Sequence, residues 1–227
     1  MGAHANDSAA AALNDLFSRL HALVHRDDPR FTVIGTTDDV VGPLTELALA
    51  TRRTAWALQR SLTLAGLRET HDLNEEMLRR GVSMRTLVNP RILERTCPLM
   101  SSYDPDVRLA PVPHPMLVAD RRTLVVGNAV GDTLFTTSDA ALLGDVVRVV
   151  DRVWHEAPLA VPTGTPPPFT RRMVDIAFLL VEGATDASIA KALGVSLRTV
   201  SADVSEMTRR LGARSRTHAI ALISGNG

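Results

Sequence analysis

The sequence predicts two domains. A mixed α/β domain covers residues 1–157, a proline-rich linker covers 158–168, and an all-helical domain covers 169–227. Three observations predict this. Ala157–Pro168 reads APLAVPTGTPPP, and Pro166, Pro167 and Pro168 lack a backbone donor and hold extended geometry, as a semi-rigid spacer does. Before the break, strand-like runs alternate with amphipathic helical runs; after it only the helical period recurs. Charge divides at the same point. The 25 basic and 25 acidic residues cancel over the chain, yet residues 1–168 carry −3 and the tail from Phe169 carries +3.

Taken in order, Ala9–His25 places Leu13, Leu16, Phe17, Leu20 and Val24 at helical spacing, a stripe suited to core packing or to part of a dimer face. Phe31–Gly35 reads as a strand. Leu44–Thr51 reads as a helix opened by Pro43, whose missing N–H is not needed in a first turn. A strand at Thr54–Gln59, a helix at Leu67–Arg80 closed by Gly81, and an alternating strand at Ser83–Val88 follow. Val107–Ala110, Met116–Ala119, Thr123–Val126 and Thr133–Thr136 are short strands, with Asp120-Arg121-Arg122 turning the middle pair into a hairpin. Asp139–Glu156 is a helix with Leu142, Leu143, Val146, Val149, Val150 and Val153 on one face.

The tail reads as four helices with local start and stop signals. Thr170 caps the first, which carries Val174, Ala177, Phe178 and Val181 at helical spacing and ends at Gly183. Thr185 caps Ala187–Leu193, Ser196 caps Leu197–Leu211 ahead of Gly212, and Ser215 caps a fourth that runs to about Ile223. Gly194-Val195-Ser196 is a tight turn, so the middle pair forms a helix-turn-helix.

Composition excludes several chemistries. All basic residues but Lys191 are arginine, so no lysine-dependent site exists before residue 191. One cysteine, Cys97, excludes an internal disulfide and a Cys-rich zinc site, and fits a reducing, cytoplasmic setting. No apolar run approaches the roughly 18 residues of a membrane span. His21 and His25 stand one turn apart, but nothing nearby completes a metal set, which makes them a helix surface; no metal or cofactor is expected.

The third tail helix has a chemically distinct outer face. Val200, Val204, Met207 and Leu211 share the apolar side, while Arg198, Ala202, Ser205 and Arg209 lie opposite with Ser201 on the flank. Small residues let a helix enter a major groove, and arginines at its ends suit bidentate contact with guanine or phosphate. Thr185, Ser196, Thr199, Arg210, Arg214 and Arg216 surround that face, so these eleven positions are the candidate DNA contacts. Asp203 falls toward the inner edge and is expected in a local hydrogen bond.

The run EGATDASIAKALGVSLRTVSADVSEMTRRLGARSRTHAIALI resembles the LuxR/GerE-type helix-turn-helix domain at Glu182, Gly183, Ile189, Ala190, Leu193, Gly194, Ser196, Thr199, Val200, Val204, Leu211, Gly212, Arg214, Ser215, Arg216, Thr217 and Ala219. The resemblance implies a tetrahelical DNA-binding domain whose third helix enters the major groove. It also implies a dimer contact on the fourth, here Ala219, Ile220 and Ile223. Ser201 and Asp203 stand where the family often has Lys and a His or aromatic residue. Fewer basic residues on the helix should weaken nonspecific binding and leave Arg198 and Arg209 proportionately more important.

The preceding domain is not a phosphoacceptor receiver, because the switch lysine is missing; Asp38-Asp39 is read as a helix cap. Residues 54–160 resemble the phospholipase D-like domain of actinobacterial TrmB-type regulators, at Glu76–Val82, Val107–Pro111, Met116–Gly127 and Val150–Ala157. The resemblance implies a mixed sheet flanked by helices. The active signature of that domain is H-x-K-x-x-x-x-D. Aligned on Asp120, it places Pro113 and Pro115 at the His and Lys positions, with His114 one place out, and implies no phosphodiesterase activity. Trp56, Gln59, Arg68 and His71 are candidates for a polar ligand pocket. The expected whole is a bacterial transcriptional regulator without catalytic residues. Its expected partners are double-stranded promoter DNA, a second copy in a homodimer, RNA polymerase, and a small-molecule or protein effector. A protein-interaction module and a phospholipase D-like phosphodiesterase are the alternatives.

Overall fold

The structure is a computed structural model that describes residues 2–36, 39, 41–60, 64–89, 106–160 and 169–224. Asp38, Cys97 and the linker prolines Pro166, Pro167 and Pro168 lie outside the described residues. Contacts divide the rest into two units. The first takes the described residues of 1–61, 70–91 and 106–159, and the second those of 62–69 and 160–227. The first unit does not release the chain at 158. Leu109 N–H donates to the Pro158 carbonyl at 2.9 Å and Leu159 bridges Arg108, so a sheet edge holds the start of the expected linker.

The elements of the first unit are α1 (Gly2–His25), β1 (Thr32–Thr36), α2 (Val41–Ala50), β2 (Thr54–Gln59), α3 (Leu64–Arg79), β3 (Ser83–Val88), β4 (Val107–Leu109), β5 (Met116–Ala119), β6 (Thr123–Gly127), β7 (Thr133–Thr137) and α4 (Ala140–Glu156). The start of α3, through Glu69, groups with the second unit. Every expected strand forms within a residue or so of its expected ends, while α1 begins well ahead of Ala9. The strands make one sheet in the order β1-β7-β6-β5-β2-β3-β4. β2, β3 and β4 run parallel and the remaining pairs antiparallel, giving the expected mixed sheet.

Both α1 and α4 lie on one face of this sheet. Leu13, Leu16, Phe17, Leu20 and Val24 of α1 are all buried with Leu143, Val146, Val150 and Val153 of α4 and with Leu58, Leu87, Met116, Val118, Leu124 and Val126 of the strands. The α1 stripe is therefore core, and its residues are not available as a dimer face. Burying a side chain of this size stabilises by about 1.5–3 kcal/mol, which explains why all five positions are apolar. By contrast α2 is apolar yet buries no residue, and Val41 and Leu49 stay exposed. Arg80 fixes its end instead, donating to the carbonyls of Leu49 and Ala48 at 2.8 Å each.

Two further features hold the sheet. The β5–β6 turn places Asp120 and Arg121 at positive φ (52° and 55°), closed by Arg122 N–H to the Ala119 carbonyl at 2.9 Å. Such a turn normally takes Asn-Gly. Here Asp120 is held from outside, because its carboxylate accepts the N–H groups of Arg52, Arg53 and Thr54 at 2.9, 2.7 and 2.9 Å. Burial pushes its carboxyl up, but those backbone donors and the Arg122 charge prevail and hold it below the usual range. The second feature is a stack of arginines and tryptophans. Arg121 lies 4.9 Å from the Trp56 ring centroid, Arg85 lies 5.2 Å from Trp56 and 5.3 Å from Trp154, and Arg108 lies 4.8 Å from Trp154. Asp151 anchors Arg85 at 2.8 Å.

The second unit holds α5 (Arg171–Val181), α6 (Asp186–Leu193), α7 (Leu197–Arg210) and α8 (Arg216–Ile223). The core of α5 is Met173, Val174, Ile176, Ala177, Phe178 and Leu180. The expected Val181 is 40% exposed instead, because the helix is turned so that Leu180 and Ile176 face inward. Among the described residues, no helix is long and apolar enough to cross a membrane.

Candidate nucleic-acid interface

Local capping sets the geometry of the helix pair. Thr185 and Ser188 form a reciprocal box: Ser188 N–H donates to Thr185 Oγ1 at 3.2 Å and Thr185 N–H donates to Ser188 Oγ at 2.9 Å. At the far end of α6, Gly194 takes φ 65°, a left-handed conformation that costs glycine little and other residues about 1 kcal/mol or more. The chain then re-enters a helix at once. Ser196 Oγ accepts Thr199 N–H at 3.1 Å, and the two hydroxyls lie 2.8 Å apart. Each cap satisfies an N–H that the first turn leaves without a partner.

The inner face of α7 is anchored by packing and by one ion pair. Val200, Val204 and Met207 are buried, and so is Asp203. Arg172 of α5 donates to both Asp203 oxygens, Nε at 2.6 Å and Nη2 at 3.3 Å. The expected local hydrogen bond of Asp203 is thus a bridge to another helix, and it orients α7 rather than the ligand.

The outer face is open. Arg198, Ser201, Ala202, Ser205 and Arg209 are all exposed. Ser205 Oγ donates to the Ser201 carbonyl at 2.8 Å, which keeps the serine hydroxyls close to the helix, and Ser201 Oγ donates to Asp186 at 3.2 Å. Among the described residues, Arg198, Lys191 and Arg214 make no ion pair. The other arginines are engaged. Arg209 and Arg210 both pair with Glu206. Arg216 pairs with Asp186 and donates to the Ala184 carbonyl at 3.0 Å.

The sequence reading missed these acidic partners. Glu206 had a visible signal, since it stands i,i+3 and i,i+4 from the two arginines. Asp186 with Arg216 and Asp203 with Arg172 had none, because they join separate helices.

The fourth-helix residues divide. Ala219 and Ile223 are buried in the unit's own core, at 4% and 1% exposure, while Ile220 is partly exposed.

The ligand candidates are spread over β2 and α3. Trp56 is buried between Arg85 and Arg121, and Gln59 ends β2 opposite Val88. Arg68 belongs to the second unit, 3.6 Å from Glu182 and 5.4 Å from the Phe178 ring centroid. His71 lies on α3 in the first unit, 3.9 Å from Asp72. A groove of about 550 Å³ exists elsewhere, between Arg121 and Arg122 of the β5–β6 turn and Leu143, Gly144 and Val147 of α4.

The histidines are placed unexpectedly. His21 is not on a helix surface: its ring meets His114 edge-on at 4.5 Å, with Phe17 beside both. Nε2 of His21 is buried with no partner among the described residues. Burial first, then the His114 ring, lowers the His21 pKa against a raising hydrogen bond to the Gly127 backbone. Burial and the Arg60 charge lower that of His114. His25 is exposed.

Residues 167–223 match the family described as bacterial regulatory proteins, LuxR family. The chain therefore carries a LuxR-family helix-turn-helix domain at its C-terminal end. No curated protein matches the chain. Among solved structures, one similar chain is TrmBL2, titled an archaeal chromatin protein with a novel mode of DNA binding. The match is 13% identical, covers 57% of this chain and 53% of that one, and has a TM-score of 0.43, so this chain spans about half of its length. Another is NucT from Helicobacter pylori, 11% identical over 57% of this chain and 96% of that one, with a TM-score of 0.48.

Proposed function

We propose that the protein is a sequence-specific, DNA-binding transcriptional regulator that binds promoter DNA as a homodimer. The observation that carries this is the outer face of α7: small, exposed Ser201, Ala202 and Ser205, with Arg198, which has no ion-pair partner among the described residues, at the start of a helix capped by Ser196. A helix with no bulk at its centre fits a groove about 12 Å wide, and a free guanidinium at its start is placed for guanine or phosphate. Arg214 and Lys191 supply further backbone contacts. A single small module binds weakly, and two tethered copies gain through effective concentration. Ile220 is the α8 residue through which such copies meet.

The first unit serves sensing or assembly rather than catalysis. Its Asp120 carboxylate is occupied by three backbone N–H groups, and Pro113 and Pro115 leave no clamp for phosphate. A small-molecule or protein effector would act through this unit, whereas RNA polymerase, as a protein partner, would dock on the helical tail.

The test is fluorescence anisotropy of the full-length protein on its own upstream duplex, with scrambled competitor and salt titration. Binding is expected to fall with salt and to weaken about fivefold or more in Arg198→Ala, since a bidentate base contact contributes about 1–3 kcal/mol. Binding that ignores Arg198→Ala and salt favours a protein-interaction module instead.

A further inference from the structure

We propose that Glu206 sets the DNA specificity of this protein, by holding Arg209 and Arg210 away from the phosphate backbone until a matching site draws α7 into the groove. The inference rests on the DNA-binding reading above and deepens it.

Glu206 is bound by three guanidinium donors. Arg209 Nε donates to Oε2 at 2.8 Å and Arg209 Nη2 donates to Oε1 at 2.6 Å, a two-pronged fork. Arg210 Nε donates to the same Oε1 at 2.6 Å. The carboxylate is 30% exposed, while Arg209 is 71% exposed. Hydrogen bonds from Arg209 and then Arg210 lower the Glu206 pKa to about 2, so the group is ionised at neutral pH. The three side chains together carry one positive charge rather than two.

This changes what approaching DNA meets. A duplex presents one negative charge per roughly 1.7 Å of axis, and nonspecific affinity follows the number of phosphates neutralised. At the loose distance of nonspecific docking, the C-terminal end of α7 offers two arginines with one of their charges cancelled and their donors turned to a carboxylate. The N-terminal end offers Arg198, which has no carboxylate partner among the described residues. Only a fit close enough to bring a phosphate or guanine edge within hydrogen-bond reach replaces the carboxylate as partner of Arg209. Arg209 is exposed enough to swing without moving the core. Glu206 therefore costs nonspecific complexes one or two phosphate contacts and costs the matched complex less.

The experiment uses full-length wild-type protein to select a binding site from a random duplex library. Anisotropy is then measured on that site and on a scrambled duplex, each over a salt series, for wild type, Glu206→Gln, Arg209→Gln and the double variant. Glutamine keeps the shape and an accepting oxygen while removing the charge. On scrambled DNA, Glu206→Gln is expected to tighten binding about 5–10-fold at low salt and to steepen the log–log salt slope by about 1–2, the contribution of one or two new phosphate contacts. On the selected site the gain stays under about twofold, so the specificity ratio falls. In the Arg209→Gln background at least half of the gain on scrambled DNA disappears. Equal tightening on both duplexes, no change, or weakening of both in a variant with wild-type circular dichroism overturns the proposal. Failure of the DNA-binding reading shows itself separately, as wild-type protein that enriches no sequence.

Discussion

Arg85 is the centre of the first unit's arginine–tryptophan stack, and replacing it with alanine should destabilise that unit by about 2–3 kcal/mol. Its guanidinium lies 5.2 and 5.3 Å from two indole centroids, and both indoles are buried. A cation–π contact contributes about 0.5–1 kcal/mol when exposed and about 2 when desolvated. With Arg85 only 26% exposed, each face contributes about 1 kcal/mol. The 2.8 Å bond to Asp151 adds about 0.5–1 kcal/mol, discounted because Asp151 is 36% exposed. Arg85→Lys keeps the charge but not the plane, so it should restore less than half of the loss. The assay is urea unfolding followed by tryptophan emission. Trp56 and Trp154 are the only tryptophans, so the signal comes from this stack. The midpoint should fall with an unchanged slope, the sign of lost stability rather than altered compactness. A loss under about 0.5 kcal/mol, or a lysine variant as stable as wild type, refutes the idea that stacked guanidinium planes hold this unit.

Other outcomes follow from the same geometry. The His21 and His114 pKa values are lowered in the fold, so the unfolded chain binds protons more readily near its ordinary 6.5. Stability of the first unit should therefore be full well above the ordinary imidazole pKa and fall as pH drops below it, with His114→Gln flattening the profile of urea midpoints. Asp203→Ala, which leaves Arg172 without its partner, should destabilise the second unit by about 1–2 kcal/mol and weaken matched and scrambled DNA alike; circular dichroism and anisotropy separate the two effects. Ser196→Ala should cost about 1 kcal/mol by removing the Thr199 N–H acceptor, read as a lower melting midpoint.

Much of this was legible in the sequence because it is local. Thr170, Thr185, Ser196 and Ser215 cap the helices they were expected to cap. Gly183, Gly194 and Gly212 take positive φ where the helices were expected to stop. The strands of the described residues were legible from short apolar and β-branched runs, and at Ser83–Val88 from alternation, because these are properties of a strand's own residues. Strand order was not legible: β1 beside β7, and β4 at the opposite edge, depend on pairings distant in the chain. The face of α5 was misjudged for a related reason. Its run IAFLLV is apolar all round, so its partners, not its period, decide that Leu180 turns in and Val181 out. The stack joins residues from several elements, and the His21–His114 contact joins a helix to a loop. Neither has a signature in spacing.

A charge count from the sequence overstates the cations that α7 and its neighbours offer to DNA, and this yields a number to test. The tail holds eight basic residues, but Arg172 and Arg216 each pair with a carboxylate within the fold, Arg209 and Arg210 share Glu206, and Arg171 is engaged as well. Among the described residues, Arg198, Lys191 and Arg214 carry no such partner. If each of those three releases one counterion, the log–log salt slope for scrambled DNA is about −3 per bound protomer, against about −7 if all eight act. The difference is large for a titration between about 50 and 200 mM salt, a window in which a protein making 6–10 phosphate contacts loses at least about a thousandfold in affinity. A measured slope near −7 means that the internal pairs open freely at the DNA surface. Glu206 then restrains nothing, and affinity follows composition alone. A slope near −3 means that folding, through pairs invisible to a count of residues, decides which arginines the nucleic acid meets.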